Sequence, residues 1–317
     1  MTIPFPGPLY AQRAQIEELA ALGYTDAWSA EAMGEDAFTP LVLASVWAPQ
    51  LRLGTAIVPA FTRAPAVMAQ SVASLASAAP GRVAFGIGTS SDVIVERWNG
   101  VPFEQPYQRV RDMVRFLRLA LTGEKVTEEY ETFSVNGFRL GVGVEQQPPI
   151  LVAALREGML RLAGREGDGA IVNWLSAHDV KRVAAIVDDA GDGADKEVVA
   201  RIFVAPNPDR ETVLREGKYA MAAYLNVPVY RAFHEWMGRT ELLGAHWERW
   251  AEGDRKGALG EIPDEAVDQL IVHGTPEECR AHIDRYLDNG VTTAALAIMP
   301  FGGLDLGEAV RSLAPTT

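Results

Sequence analysis

Short apolar runs alternate with longer amphipathic stretches along almost the whole chain. Eight runs have the length and composition of buried strands, and they begin at Thr2, Asp26, Arg52, Arg82, Pro149, Gly169, Val198 and Thr292. The stretches between them show helical spacing, as in Gln105 to Leu121, where apolar residues recur on one face. Eight strands separated by helices predict an α/β protein of the (β/α)8 TIM-barrel class. An open, doubly wound sheet is the alternative, but no G-x-G-x-x-G segment follows the first strand.

Two segments interrupt this alternation and are predicted to be insertions. Thr127 to Leu140 alternates apolar and polar residues around Asn136-Gly137, a pair typical of tight turns, and is predicted to form a β-hairpin. Asn226 to Ile262 is rich in aromatic and charged residues and predicts a mobile helical excursion that covers the C-terminal ends of the strands. Because no linker rich in Pro, Ser or Gly divides the chain, a single domain over residues 1–317 is expected.

The amino-acid composition disfavours several classes of binding partner. The 317 residues carry a formal net charge of -13, which disfavours binding to nucleic acid or to an anionic membrane. No apolar run is long enough to cross a membrane, and the N-terminal residues lack the pattern of a signal peptide. Cys279 is the only cysteine and the histidines lack metal-ligand spacing, so neither a disulfide nor a metal site is expected. These features predict a cytoplasmic protein that acts on a small molecule.

The segment from Arg82 to Ser91 carries the clearest functional signal. Val83 to Phe85 has the character of a buried strand, which runs into Gly86, Gly88 and the small hydroxyl residues Thr89 to Ser91. Glycines allow a ligand to approach the backbone, and hydroxyl groups can hydrogen-bond a ligand without filling the space. Since α/β folds place their sites at the C-terminal ends of parallel strands, this segment is predicted to line a ligand site. An ordinary strand-to-helix turn with a Ser or Thr helix cap is the alternative.

Four motifs together resemble one family of enzymes. They are Leu53–Pro65 (L-G-T-A-I-V-P-A-F-T-R-A-P), Arg82–Ser91 (R-V-A-F-G-I-G-T-S-S), Val95–Glu104 (V-E-R-W-N-G-V-P-F-E) and Ala163–Trp174 (A-G-R-E-G-D-G-A-I-V-N-W). In this order and spacing they are similar to the bacterial luciferase-like flavin and deazaflavin oxidoreductases, and most similar to the branch that uses coenzyme F420. The resemblance implies a (β/α)8 barrel with an insertion region, and hydride transfer to or from C5 of a deazaflavin.

The resemblance also implies which residues hold the cofactor. A cis peptide bond without proline is expected at Ala56-Ile57, where it forms a bulge behind the deazaflavin ring; a trans core residue at position 57 is the alternative. The phosphate end is expected at the start of the helix after the strand at Pro149, where free N–H groups and the helix dipole favour an anion. The full set of cofactor residues is Glu31, Ala56, Ile57, Thr89, Ser90, Ser91, Leu155, Arg156, Gly158 and Met159. A solvated surface position is the alternative for Arg156.

The substrate pocket is expected to include Trp98, Asn173 and Trp174, with ordinary core packing as the alternative for both tryptophans. Structural roles are expected for three further charged residues, namely Arg63 and Arg97 in ion pairs and Asp168 in a turn.

Three groups of the sugar-phosphate dehydrogenases in this family are missing. Ala32 stands where those enzymes have a catalytic histidine, Ser91 where they have an acid, and Ser176 near their phosphate-binding lysine. That activity is therefore not expected. Glu31 is the acid nearest to position 32 in the sequence and is the candidate catalytic residue, as a cofactor contact or a proton shuttle. An ion-paired residue at the end of a strand is the alternative.

These observations predict an F420-dependent oxidoreductase that acts on an unidentified small organic substrate. An FMN-dependent monooxygenase of the same superfamily is the first alternative, because a reduced flavin activates oxygen whereas a deazaflavin transfers hydride. A barrel without catalytic activity, serving as a subunit or a cofactor-binding protein, is the second. The resemblance also implies a homodimer.

Overall fold

The computed structural model describes residues 1–315. Its strands are β1 (Asp26–Ser29), β2 (Arg52–Thr55), β3 (Val58–Pro59), β4 (Val83–Gly88), β5 (Val126–Glu129), β6 (Ser134–Phe138), β7 (Ile150–Ala153), β8 (Gly169–Asn173), β9 (Glu197–Ala205), β10 (Val272–His273) and β11 (Thr293–Ile298). Its α-helices are α1 (Arg13–Ala21), α2 (Phe38–Trp47), α3 (Pro65–Ala78), α4 (Pro106–Ala120), α5 (Glu157–Glu166), α6 (Ala177–Gly191), α7 (Arg210–Leu225), α8 (Pro228–Trp236), α9 (Thr240–Ala251), α10 (Arg255–Gly260), α11 (Asp264–Leu270), α12 (Pro276–Asp288) and α13 (Leu306–Ser312). Short 3₁₀ turns lie at Leu9–Ala11 and Phe301–Gly303, and a π-helical turn lies at Val93–Trp98.

The described chain forms two compact units. The first comprises Met1–Ile171 and Ile186–Val199 together with Pro315, and the second comprises Val172–Ala185 and Ala200–Ala314. Neither unit contains a helix with the length and apolar character needed to span a membrane, over residues 1–315.

Parallel strands form the sheet of the first unit. Their order is β1-β2-β4-β7-β8, and β3 pairs with the end of β4. The first residue of β9 extends this order, because the Glu197 N–H donates to the Asp168 carbonyl at 3.0 Å. All six residues of β4 are buried, as expected for a parallel strand covered on both faces. At the N-terminal side, Arg52 and Glu197 form a bidentate ion pair with N···O distances of 2.6 and 2.7 Å.

Two predicted strands of this unit differ from the structure. Thr2–Phe5 contributes only a bridge from Thr2 to Trp28, because Pro4 and Pro6 have no N–H group to continue a ladder. The strand predicted over Arg52–Val58 is divided into β2 and β3. The peptide bond between Ala56 and Ile57 is cis, as the resemblance implied.

The predicted hairpin is confirmed as β5 and β6, which pair antiparallel. The turn predicted at Asn136-Gly137 is wrong, because the chain turns at residues 130–133 and both residues lie within β6. Gly137 has a φ of 76°, which favours glycine, and lies where the register of the ladder shifts beside Val126 and Thr127. The hairpin is fastened by the buried carboxylate of Asp112, which accepts hydrogen bonds from the N–H and hydroxyl of Thr132 at 2.9 and 3.0 Å. Because the Asp112 carboxylate is buried and accepts both hydrogen bonds from Thr132, it holds the β5–β6 hairpin against α4.

The second unit is built on the rest of β9, which pairs with β10 and β11. The segment predicted as a helical excursion contains α8, α9 and α10. Its apolar residues join those of β9, α7 and α11 in one core, which includes Phe203, Met221, Leu225, Leu243, Trp247, Ile262 and Val267. The sequence did not predict β10, because two residues between α11 and α12 are too few to show a strand periodicity.

A buried ion pair joins the starts of two helices in this unit. The Arg239 guanidinium, immediately before α9, donates to the Asp179 carboxylate in the first turn of α6 at 2.5 Å. Only 7% and 8% of the two side chains are exposed. Asp179 also accepts from the Ser176 N–H at 2.7 Å, and Arg239 Nε donates to Gln269. This network fixes the position of the excursion relative to the end of β8.

Candidate active site

Glu31 follows β1 and is held by an arginine. Both of its carboxylate oxygens accept from Arg63 Nη1, at 2.6 and 2.7 Å, and the Thr62 hydroxyl donates to it at 3.2 Å. The Arg63 guanidinium in turn lies 4.9 Å from the centre of the Phe38 ring. The expected ion pair of Arg63 is therefore present, and Glu31 is an oriented anion rather than an unpaired base. Ala32, beside it, is exposed.

The ends of β4 and β7 pack closely through small residues. Gly88 is buried, and a side chain there would lie 2.7 Å from Ala153 Cβ and 3.2 Å from Ile57 Cδ1, so glycine lets these two side chains approach the backbone of β4. Gly86, two residues earlier, lies on the same face of β4, and a Cβ there would lie 2.0 Å from the Thr55 carbonyl oxygen. Both glycines of the Arg82–Ser91 motif therefore permit close packing on one face of the strand.

The hydroxyl residues after β4 form a strained turn. Ser90 has a φ of 61°, a left-handed conformation that is uncommon outside glycine. The Ser91 hydroxyl accepts from the Ile94 N–H at 3.3 Å and so caps the π-helical turn, as the alternative interpretation of this segment expected. Trp98, at the end of that turn, is 52% exposed. Arg97 in the same turn lies 3.7 Å from Asp92, which is the expected ion pair.

The N-terminus of α5 is available to an anion. The preceding residue, Arg156, is exposed and provides no side-chain cap, and a side chain at Gly158 would meet nothing within 4 Å. By contrast, four other helices are capped by acceptor side chains, namely those of Asp209, Asp254, Thr275 and Asp305. The first N–H groups of α5 therefore have no side-chain acceptor among the described residues, and together with the helix dipole they favour an anion.

Asn173 and Trp174 stand at the C-terminal end of β8 in the second unit. Trp174 has a φ of 53° and its ring stacks on Phe203 at a centroid distance of 4.0 Å. Tyr224 packs on the same indole at 4.8 Å and meets the edge of Tyr230 at 5.4 Å. The Asn173 Nδ2 group donates to the Tyr230 hydroxyl at 3.1 Å. Trp174 is buried, which agrees with the alternative of core packing.

Tyr230 was not among the sequence-based candidates. It lies on α8, which apolar spacing identifies only as an amphipathic helix, and its partner Asn173 is 57 residues away. Burial raises the pKa of Tyr230 to about 12, although the Asn173 hydrogen bond acts in the opposite direction. The phenol is therefore protonated at any physiological pH.

Asp168 has the expected structural role. Its carboxylate accepts from Arg118 and from the Ile150 N–H, each at 2.6 Å, and so joins the starts of β7 and β8. Among residues 1–315, no group of His, Cys, Asp and Glu side chains has the arrangement of a metal site. A cavity of about 680 Å³ in the second unit is lined by Arg239, His273 and His282, among others, and none of the predicted site residues lines it.

The first unit brings together most of the predicted cofactor residues. Gly88 and Ala153 are in contact range at the ends of adjacent strands, Ile57 lies against both, and α5 begins a few residues after Ala153. A model of the luciferase-like monooxygenase family matches residues 5–293. The chain belongs to this family. The membership confirms the resemblance and the prediction of an oxidoreductase.

Two relatives of the chain carry the names of a methylenetetrahydromethanopterin reductase and of an F420-dependent dehydrogenase. The 5,10-methylenetetrahydromethanopterin reductase of Methanolobus tindarius is 27% identical over 295 residues, which cover 89% of this chain and 87% of that protein. The F420-dependent glucose-6-phosphate dehydrogenase of Gordonia bronchialis is 28% identical over 256 residues, covering 76% of this chain and 71% of that protein.

A solved structure confirms the predicted (β/α)8 class. The coenzyme F420-dependent tetrahydromethanopterin reductase of Methanopyrus kandleri superimposes with a TM-score of 0.82 over 99% of this chain and 96% of its own, at 21% sequence identity. At that identity the likeness concerns the fold.

Proposed function

We propose that this luciferase-like protein is an F420-dependent oxidoreductase that acts on a small organic substrate. The observation that carries the proposal is the partly exposed apolar pair of Ile57 and Ala153, which packs beside Gly88 and lies a few residues before the uncapped start of α5. A ligand that consists of a planar ring linked to a phosphate requires an apolar contact for the ring and N–H groups for the phosphate. The names of the relatives support a deazaflavin as the ligand.

The residues of the first unit fit such a ligand. Ile57 and Gly88 would lie behind the ring, and Thr89 and Ser90 would offer hydroxyl groups at its edge. The N–H groups at Gly158 and Met159, with the exposed Arg156, would hold the phosphate, and Leu155 would pack beside it. When bound, F420 supplies a hydride donor or acceptor at C5.

The protein's own residues orient the ligand and exclude some chemistry. Glu31, fixed by Arg63, presents a carboxylate of defined position and acts as a cofactor contact. Ala32 and Ser91 provide neither a base nor an acid, so the chain does not carry out glucose-6-phosphate oxidation in the manner that the resemblance would imply. We include a cytoplasmic location in the proposal, because the chain has a single cysteine, Cys279, and so cannot form an intramolecular disulfide.

Titration of the purified protein with F420 and with FMN, followed by fluorescence, tests the proposal. F420 is expected to bind more tightly than FMN. Gly158→Val should weaken F420 binding at least tenfold, because the new side chain covers the N–H groups without meeting any neighbour. Gly244→Val in α9 is the matched control, since a side chain there also meets nothing within 4 Å.

Three results would contradict parts of this proposal. Preferential binding of FMN would favour the monooxygenase alternative, which the family name supports. Binding of neither cofactor would favour a barrel without catalytic activity. An equal effect of the two valine variants would show that the start of α5 does not hold the phosphate.

We also propose that the protein is a homodimer through the outer faces of α2 and α3. These helices contain no charged residue, in a chain of which 22% is charged, and they expose Val42, Val46 and Val67. An uncharged surface of this kind adds no local repulsion between two copies that each carry a net charge of -13. Light scattering after size exclusion should give a dimer, which Val46→Glu should dissociate. Leu119→Glu on charged helix α4 is the control, and dissociation by both variants would contradict the assignment.

A further inference from the structure

A charged side chain in the second unit has no partner. Arg201 lies on β9 and is half-buried, and its guanidinium group forms no hydrogen bond or ion pair with any residue in the range 1–315. Its Nε atom is buried. Arg156 and Arg285 also lack a partner in this range, but both are exposed, so water solvates their charges. Because a charged group that is buried without a partner destabilises a protein, we expect an anion to bind at Arg201.

Arg201 and a buried tryptophan pack on the same aromatic ring. Arg201 and Phe203 extend from one face of β9, and the guanidinium carbon lies 5.2 Å from the centre of the Phe203 ring. Trp174 stacks on this ring at a centroid distance of 4.0 Å. Only 2% of Trp174 is exposed, and its indole N–H has no acceptor in the described chain. Two side chains that contact Phe203 therefore carry unsatisfied donors, although native structures satisfy most buried polar groups.

The neighbouring aromatic groups do not neutralise the charge. Tyr224 packs against Trp174 and Phe203, at centroid distances of 4.8 and 6.4 Å. Burial raises the pKa of Tyr230 to about 12, and the positive charge of Arg201 acts in the opposite direction, so this phenol remains uncharged near the guanidinium. Arg201 is therefore a single positive charge among aromatic rings, and these surroundings suit an anion with an apolar body.

We propose that Arg201 binds the carboxylate group of an organic acid whose apolar body packs against the neighbouring aromatic side chains. The planar guanidinium presents parallel N–H groups at the spacing of the two carboxylate oxygens. One guanidinium balances the single charge of a carboxylate, whereas a phosphate group carries about two charges. Arg201, Phe203 and Trp174 all belong to the second unit, so this site does not depend on the cofactor proposed above.

Isothermal titration of the full-length protein with benzoate tests this assignment. Benzoate joins a carboxylate to an aromatic ring, and benzamide has a similar shape without the charge. Arg201→Met, which removes the charge and keeps a long side chain, should weaken benzoate binding at least tenfold. Arg285→Met is the matched control, because Arg285 lies in the same unit and is exposed, and its effect should be less than twofold. Benzamide should bind the wild type at least tenfold more weakly than benzoate.

Thermal unfolding separates a binding role of Arg201 from a structural one. Without ligand, Arg201→Met should unfold at the same midpoint as the wild type or at a higher one, because the variant loses an unsatisfied charge. Benzoate should raise the midpoint of the wild type and of Arg285→Met, but not that of Arg201→Met. Arg201→Lys keeps the charge and loses the planar fork, so its affinity for benzoate should lie between those of Arg201→Met and the wild type.

Four results would overturn the assignment. They are an absence of benzoate binding to the wild type, equal weakening by Arg201→Met and Arg285→Met, equal binding of benzamide and benzoate, and a lower unfolding midpoint of ligand-free Arg201→Met. Inorganic phosphate that binds the wild type as tightly as benzoate, and loses this affinity in Arg201→Met, would overturn the organic carboxylate as the ligand class.

Discussion

The contribution of the buried Asp179–Arg239 ion pair to stability can be tested directly by removing one of the two charges. Asp179→Ala removes the carboxylate and leaves Arg239, 93% of whose side chain is buried, without an anionic partner. The Ser176 N–H loses its acceptor at the same time.

The expected cost follows from the burial of the pair. Removing one partner of a buried ion pair destabilises a protein by about 3–5 kcal/mol. An unfolding entropy of about 2.1 cal/mol/K per residue gives about 0.7 kcal/mol/K for this chain. The midpoint of thermal unfolding should therefore fall by about 4–8 °C. The double variant Asp179→Ala/Arg239→Met, which removes both charges, should recover a large part of this loss.

Calorimetry or circular dichroism measures the shift, and a surface pair in the same unit is the control. Arg231 and Glu235 lie one turn apart on α8 at 2.9 Å, with 50% and 38% of their side chains exposed. Glu235→Ala should lower the midpoint by less than about 1 °C, because water screens that pair. Equal shifts for Asp179→Ala and Glu235→Ala would refute the reasoning, as would a double variant that is less stable than both single ones.

Four further predictions concern single residues. Glu31→Gln should lower the free energy of unfolding by about 1–3 kcal/mol and also lower the affinity for F420, because Arg63 loses the nearer of its two anionic partners and keeps only Asp36 at 3.9 Å. It should not change the single-turnover rate at saturating F420, and a slower rate would make Glu31 catalytic. Burial lowers the pKa of His234 to about 3, so the unfolded state binds more protons than the folded state between pH 3 and 6.5. Stability should therefore fall by about 2 kcal/mol as the pH is lowered from 7 to 5, and denaturant titrations of His234→Gln should show a smaller fall. Ser90→Gly should be as stable as the wild type or up to about 1 kcal/mol more stable, since glycine adopts a left-handed φ without strain. Gly86→Ala should lose about 1–3 kcal/mol by overpacking, and a neutral result in urea unfolding would contradict the described contact.

Periodicity predicted most of the fold, because parallel strands buried on both faces are short continuous apolar runs. Where a strand was wrongly predicted or missed, the reason lies in a local feature of the sequence and not in its apolar composition. Pro4 and Pro6 prevent a ladder at the N-terminus, and β10 is too short for any pattern to emerge. The division of β2 from β3 was implied by the resemblance and not by the residues.

The candidate site was less accessible to sequence reasoning. Gly88 and the start of α5 could be found, because glycines after a strand and a helix start both leave a sequence signal. The pairing of Glu31 with Arg63 joins residues 32 apart, and that of Asn173 with Tyr230 joins residues 57 apart. Such contacts depend on how the elements pack, and no local pattern of residue types reports them.

The ion pair between Arg52 and Glu197 sets an order of events during synthesis. The first unit contains Ile186–Val199, so the ribosome must produce part of the second unit before the first can be completed. Until Glu197 has emerged, Arg52 lacks this carboxylate and one edge of β8 has no neighbouring strand. An open edge of this kind can pair with other chains, so this edge is exposed to mispairing until β9 has been synthesised.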